Sequence, residues 1–187
     1  MILAAREPDH AAAIAATRLW VDRAVIGLNL CPFAKGVSVR GQVRYAVSDA
    51  RDAAALLDDL EAELRLLSIA AAEQVDTTLL IHPFVLTDFL DYNDFLEVAD
   101  AALERLGLAG VIQVASFHPH YQFEGTSPDD VTNFTNRSPY PVLHLLREAS
   151  VDAAVAAFPD AALIYQHNIE TMQQLGIDGW IALGLAP

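Results

Sequence analysis

Within Ser116–Glu148, read SFHPHYQFEGTSPDDVTNFTNRSPYPVLHLLRE, the chain gathers the residue types that do chemistry. The stretch holds three of the six histidines (His118, His120, His144), together with Arg137, Arg147, Asn133 and Asn136. Pro119, Pro128, Pro139 and Pro141 stiffen its backbone. His118 and His120 stand at i, i+2, so an extended backbone through Pro119 would project both rings to one face. Two imidazoles on one side can bind a divalent metal, or one can attack or move a proton while the other positions it. A metal needs a third ligand, for which His144, Glu124, Asp129 and Asp130 are candidates that no spacing rule separates. The cofactor is therefore open, with a divalent metal on His118 and His120 as the one these residues suggest.

An anion site is the second chemistry in view. Asn136-Arg137-Ser138-Pro139 reads as a helix start, with Ser138 as cap and Pro139 at the first helical position. A helix N-terminus beside Arg137 would hold a phosphate or carboxylate. On a helix running to Ala149, His144, Arg147 and Glu148 would share a face. Gln122 and Asn136 would orient the substrate. Locally, His118-Pro119-His120-Tyr121-Gln122 is similar to the His-Pro-His-x-Gln motif of hexose-1-phosphate uridylyltransferases, a likeness that implies His120 as nucleophile and Gln122 as its phosphate partner. The match covers five residues, and Tyr121 departs from the small residue usual there. Cys31, in LNLCPFAKG, is the single cysteine. Lys35 nearby would favour a reactive thiolate, whereas the preceding helix C-terminus and Leu30 and Phe33 favour a packed thiol.

The elements that must position these residues follow from periodicity. Residues 9–28 read as an amphipathic helix, 29–41 as a loop, and Val43–Val47 as a strand. Ser48 or Asp49 would cap a helix to about Glu73, with Leu56, Leu57, Leu60, Leu64 and Leu67 at helical spacing. Thr78–Phe84 is a buried strand carrying His82. The next helix carries Tyr92, Phe95, Leu96, Ala99 and Leu103 and stops at Gly107. Val111–Phe117 is a third strand, whose C-terminal end delivers the histidines where α/β sheets collect ligands. Ser150 would cap a helix to Phe158, and Pro159-Asp160 would lead to a last one ending near Gly176. The expectation is a single α/β or α+β domain over 1–187, with a small three-stranded sheet and a helical C-terminal third.

Composition narrows the function classes. With 187 residues, 53% hydrophobic and a formal charge of −14, the chain can bury a full core and repels phosphate backbones and anionic membranes. One cysteine precludes an intrachain disulfide, and no apolar run reaches membrane-spanning length. The N-terminus lacks a signal pattern, so a cytoplasmic setting is expected.

The blocks GLNLCPFAKG (27–36), SFHPHYQFEG (116–125) and NRSPYPVLHLLRE (136–148) resemble a bacterial family of unknown function, DUF1415. The likeness runs from about Trp20 to Gly176. It implies a one-domain cytoplasmic bacterial protein and carries no activity. The reading is an enzyme on a small anionic substrate, a transferase or hydrolase more than an oxidoreductase, since no G-x-G-x-x-G turn or P-loop is present. Against it stand a non-catalytic ligand-binding or regulatory domain, a metal-dependent hydrolase through His118 and His120, and a packed polar network. The expected partner is a small molecule, with neither nucleic acid nor membrane; a homo-oligomer is compatible.

Overall fold

The computed structural model describes residues 9–158 and 163–185. The N-terminal segment before Asp9 and the Pro159-Asp160 pair expected to lead into the last helix lie outside the described residues. Asp9 caps the first helix by accepting the Ala12 N–H at 2.7 Å, and α1 runs His10–Trp20. It widens into a π-helical turn, Val21–Ile26, where a continuous α-helix was expected. The expected loop that follows contains a short helix, α2 (Ala34–Val39).

β1 (Val43–Val47) leads to α3 (Ala53–Ile69), which is capped by Asp52 and not by Ser48 or Asp49. Ser48 instead donates to Asp59 at 2.6 Å. The leucine stripe behaves as its spacing predicts, with Leu56, Leu60, Leu64 and Leu67 all fully buried. β2 (Thr77–Ile81) is buried throughout. α4 (Phe89–Arg105) buries Tyr92, Phe95, Ala99 and Leu103, and Gly107 ends it in the left-handed region at φ 69°. β3 spans Ile112–Phe117.

The chief correction concerns the segment after Ser138. No helix starts there, and Val142–Arg147 is a fourth strand, β4. Pro141 pushes Tyr140 away from helical backbone angles, and the apolar run behind it finds strand partners on both sides. The sheet thus has four strands, in the order β1-β2-β4-β3. β1 and β2 are parallel, and β4 is antiparallel to both its neighbours, so β1, β2 and β3 all point one way. Beyond β4 the chain is helical: α5 (Glu148–Ala157) and α6 (Ile164–Ala182). Ser150 lies inside α5, and its hydroxyl donates to Asp76 at 2.6 Å. α6 continues past the expected end at Gly176, where φ 66° breaks its regularity.

The sheet is covered unequally. On one face α3 and α4 close a core of Leu56, Leu60, Leu64, Tyr92 and Phe95 against Leu80, Ile112, Leu143 and Leu145. On the other, Ala13, Trp20, Val21 and Ala24 pack on Leu79, Ile81 and Val142, with Trp180 and Leu183 alongside. This second cover stops short of the end where β1 and β2 begin, and a cavity remains. Among the described residues no helix is long and apolar enough to cross a membrane.

Candidate functional site

At the C-terminal ends of β2 and β3 the structure brings His82, Tyr92 and His118 together. The β2 and β3 strands are not adjacent, since β4 lies between them. The two imidazoles meet through Tyr92, whose ring lies 5.7 Å from His82 and 5.0 Å from His118. The Tyr92 hydroxyl donates to Val142 O at 2.8 Å and accepts the Phe117 N–H at 3.0 Å, tying α4 to both central and edge strands. His118 is fully buried. Its Nδ1 accepts the His120 N–H at 3.0 Å, which leaves the proton on Nε2 to be donated to Leu86 O at 3.2 Å. His82 is also fully buried; its Nδ1 meets Val85 O at 3.0 Å, and its Nε2 has no partner.

Both histidines thus clamp the loop after β2, where Leu86 sits in the left-handed region at φ 53°. Burial pushes the pKa of each down to about 4; hydrogen bonds to Val85 O and Leu86 O oppose the shifts, while His118 adds to that of His82 and His120 to that of His118. The ligand-collecting end of the sheet is therefore filled by neutral rings.

His120 follows a different course. β3 ends at Phe117, and residues 119–120 form a turn closed by Tyr121 N–H to His118 O at 3.1 Å. The backbone is not extended through Pro119, yet the turn still brings the two rings together, with centroids 5.9 Å apart and planes tilted by 54°. The His120 ring is exposed and makes no side-chain hydrogen bond among the described residues.

The other site residues expected from sequence are occupied by the main chain. Gln122 donates to Thr126 O at 2.6 Å, and Asn136 donates to Ser116 O at 3.2 Å. Ser138 donates to Tyr140 O at 2.6 Å and caps no helix. Arg137 donates to Tyr121 O and Pro128 O and lies over the Phe134 ring at 4.2 Å. Burial lowers its pKa, with Asp129 opposing. Arg147 reaches Ala70 O at 2.6 Å and Val75 O at 3.0 Å, pinning the α3–β2 connection. Strand alternation turns Arg147 to the opposite side of β4 from His144, and Glu148 already belongs to α5, so the single helix face expected for the three does not form. Among the described residues no group of three or more His, Cys, Asp or Glu is placed to hold a metal.

The open chemistry lies on the opposite face of the sheet. A cavity of about 690 Å³ is floored by Leu79, Ala115, Phe117, His144 and Leu146, and walled by Trp20, Val25, Phe33, Val37 and Val151. The Cys31 thiol, half-buried and free, belongs to its wall. His144 stands in the middle of the floor, opposite Ala115 on β3 and Leu79 on β2. Its Nε2 lies 2.7 Å from the Thr77 hydroxyl, which in turn donates to Leu145 O at 2.7 Å. Burial lowers the His144 pKa to about 4, so the ring is neutral at pH 7. Its Nδ1 has no partner among the described residues. Phe117 links two rings of the site, lying 5.1 Å from Trp20 and 6.0 Å from His144. The Trp20 indole N–H is buried without an acceptor.

Of the candidates read from the sequence, His144, Arg147 and Cys31 border the recess, whereas His118, His120, Gln122, Asn136, Arg137 and Ser138 lie outside its lining. Sequence reasoning missed Trp20, Thr77 and Phe117, which no local motif marks. The signal that could have placed His144 is a short apolar run bounded by Pro141, the pattern of a buried strand with one polar residue set into it.

Sheet, covering helices and cavity together define a single-sheet mixed α/β protein with a recess on one face. The chain belongs to the family described as protein of unknown function DUF1415, whose model matches residues 12–182. No curated protein and no solved structure matches the chain.

Proposed function

We propose that this domain binds a small, largely apolar molecule in the recess between the sheet and the α1, α2 and α5 cover. The observation that carries this reading is the cavity itself: about 690 Å³, apolar-walled, with one unpartnered imidazole nitrogen on its floor. That size and lining match small-molecule sites, which are apolar with few polar groups. Arg137 and Arg147, the cations expected to hold an anionic substrate, both direct hydrogen bonds to main-chain carbonyls, and only Arg147 borders the recess, which disfavours an anion held between the two. Of the two histidines expected to act on it, His118 has both ring nitrogens engaged by backbone, and His120 lies beside it on the outside of the loop, away from the recess.

The test uses N-phenyl-1-naphthylamine, a neutral dye that fluoresces on leaving water. The wild-type chain is expected to bind one equivalent with roughly micromolar affinity. Ala115→Phe fills the floor beside His144 and should weaken binding at least about tenfold, with Ala154→Phe as a second block from the α5 side. Circular dichroism and melting establish that the variants fold. No saturable binding by the wild type, or binding untouched by either folded variant, would overturn the reading.

A further inference from the structure

We propose that the molecule held in this cavity is uncharged and carries a hydroxyl or N–H group, for which His144 Nδ1 is the acceptor. This rests on the cavity being a ligand site and adds the polarity of its ligand. The argument is one of hydrogens and lone pairs. The Thr77 hydroxyl has a single hydrogen, and Leu145 O receives it at 2.7 Å. Only lone pairs then remain on Oγ1, so the 2.7 Å contact to His144 Nε2 requires that nitrogen to be the donor. A neutral imidazole protonated at Nε2 presents a bare lone pair at Nδ1.

Nothing among the described residues uses that lone pair, and the ring lies on the floor of the cavity. A carboxylate or phosphate brought there meets lone pair against lone pair. An ether or ketone oxygen does no better. A hydroxyl or N–H fits.

Two further features agree. Gln113 lies on the same floor, opposite Leu146 and so diagonal to His144, and its amide has no partner among the described residues. It can either donate to or accept from a second polar atom of the ligand. At the end where β1 and β2 begin, the lining carries Arg40 and Arg147 against Glu73 and Asp76, so neither sign of charge dominates. Arg40 itself donates to Gln42 at 2.6 Å. The site therefore offers no cationic trap for an anion.

The experiment compares four probes of one size class on the full chain at pH 7.5: 2-naphthol, 2-methoxynaphthalene, naphthalene and 2-naphthoate. The expected order has 2-naphthol about tenfold tighter than 2-methoxynaphthalene and naphthalene, with 2-naphthoate weakest. In His144→Leu the naphthol preference should fall below about twofold while naphthalene binds as before. Thr77→Val is the second variant. It keeps the side-chain shape but frees Nε2, so the ring can move its proton to Nδ1, and the gap between naphthol and the methoxy ether should narrow. Equal binding of naphthol and the ether by the wild type, tightest binding of the naphthoate, or a naphthol preference surviving in both variants would each overturn the inference and leave the ligand cavity standing. Failure of all four probes to bind would overturn the cavity reading with it.

Discussion

Stability is expected to fall steeply as pH drops from 6.5 toward 4, well before most carboxylates titrate. His82 and His118 are held neutral in the folded protein, each with its pKa pushed down to about 4 by burial. In the unfolded chain an ordinary histidine takes up its proton near pH 6.5. Between these values the unfolded state binds more protons, so lowering the pH favours it. The stabilisation is fully present above pH 6.5 and is lost as pH falls through the window to 4. At about 1.4 kcal/mol per unit, each of these two histidines accounts for a loss on the order of 3 kcal/mol.

The two losses overlap, since His118 contributes to the His82 shift, and together they are a large part of what holds a domain together. His144 adds less than its own shift suggests, because its free nitrogen faces the cavity, where water can reach it. Urea unfolding at pH 7, 6, 5 and 4.5 checks this. A midpoint that does not move would refute it, and His82→Asn should flatten the slope by about one proton. The first region to open is expected to be the loop at Leu86, whose left-handed backbone both imidazoles hold. Hydrogen exchange of residues 83–88 at pH 5 should therefore outpace that of β2.

Tyr92→Phe is expected to destabilise the protein by about 2–3 kcal/mol, a large effect for the loss of one oxygen atom. The hydroxyl serves Val142 O and the Phe117 N–H at once, and both lie in a region closed by the rings of Phe89, His82 and His118. Removing it leaves a donor and an acceptor unsatisfied, at about 1–3 kcal/mol for a buried group. Burial holds the phenol far above its usual pKa, so it stays protonated and keeps donating across the accessible pH range. For a chain of this length the melting temperature should drop by about 5–10 °C. A shift under about 2 °C would mean that water or a rearranged backbone replaces the hydroxyl.

How much of this was legible beforehand depends on how local each signal is. The stripes Leu56-Leu60-Leu64-Leu67 and Tyr92-Phe95-Ala99-Leu103 are repeated within one helix, and both helices formed where the spacing placed them. The cap of α3 was not legible, because Ser48, Asp49 and Asp52 are all residue types that cap, and the choice depends on where β1 ends. β4 was missed because Ser138-Pro139 carries a plausible helix start, and the partners that make 142–147 a strand lie at residues 77–81 and 112–117.

The histidine-rich stretch stands out in the sequence because polar residues on a proline-stiffened backbone mark irregular, specifically bonded structure. Its donors, however, turned inward to satisfy the carbonyls that an irregular loop leaves open. The cavity could not be read at all. Its lining comes from α1, the π-helical turn, α2, all four strands and α5, and only the pairing of β4 with both neighbours sets His144 opposite Ala115 and Leu79.

The insertion of β4 between β2 and β3 has a kinetic consequence. A sheet made of successive hairpins can grow as the chain emerges, but here β3 has no strand to pair with until residues far beyond it are available. The β2–β4 ladder joins Thr77 to Leu146 across the whole of α4, β3 and the histidine loop. Long-range pairings of this kind slow the search for the native state. Docking of β4 should accordingly belong to the rate-limiting barrier, so that Leu145→Ala slows refolding more than it speeds unfolding. Stopped-flow measurements showing the reverse would place β4 after the barrier. Until that strand docks, the floor of the recess is incomplete and His144 has no place in it, so the proposed binding site and the four-stranded sheet form in one event.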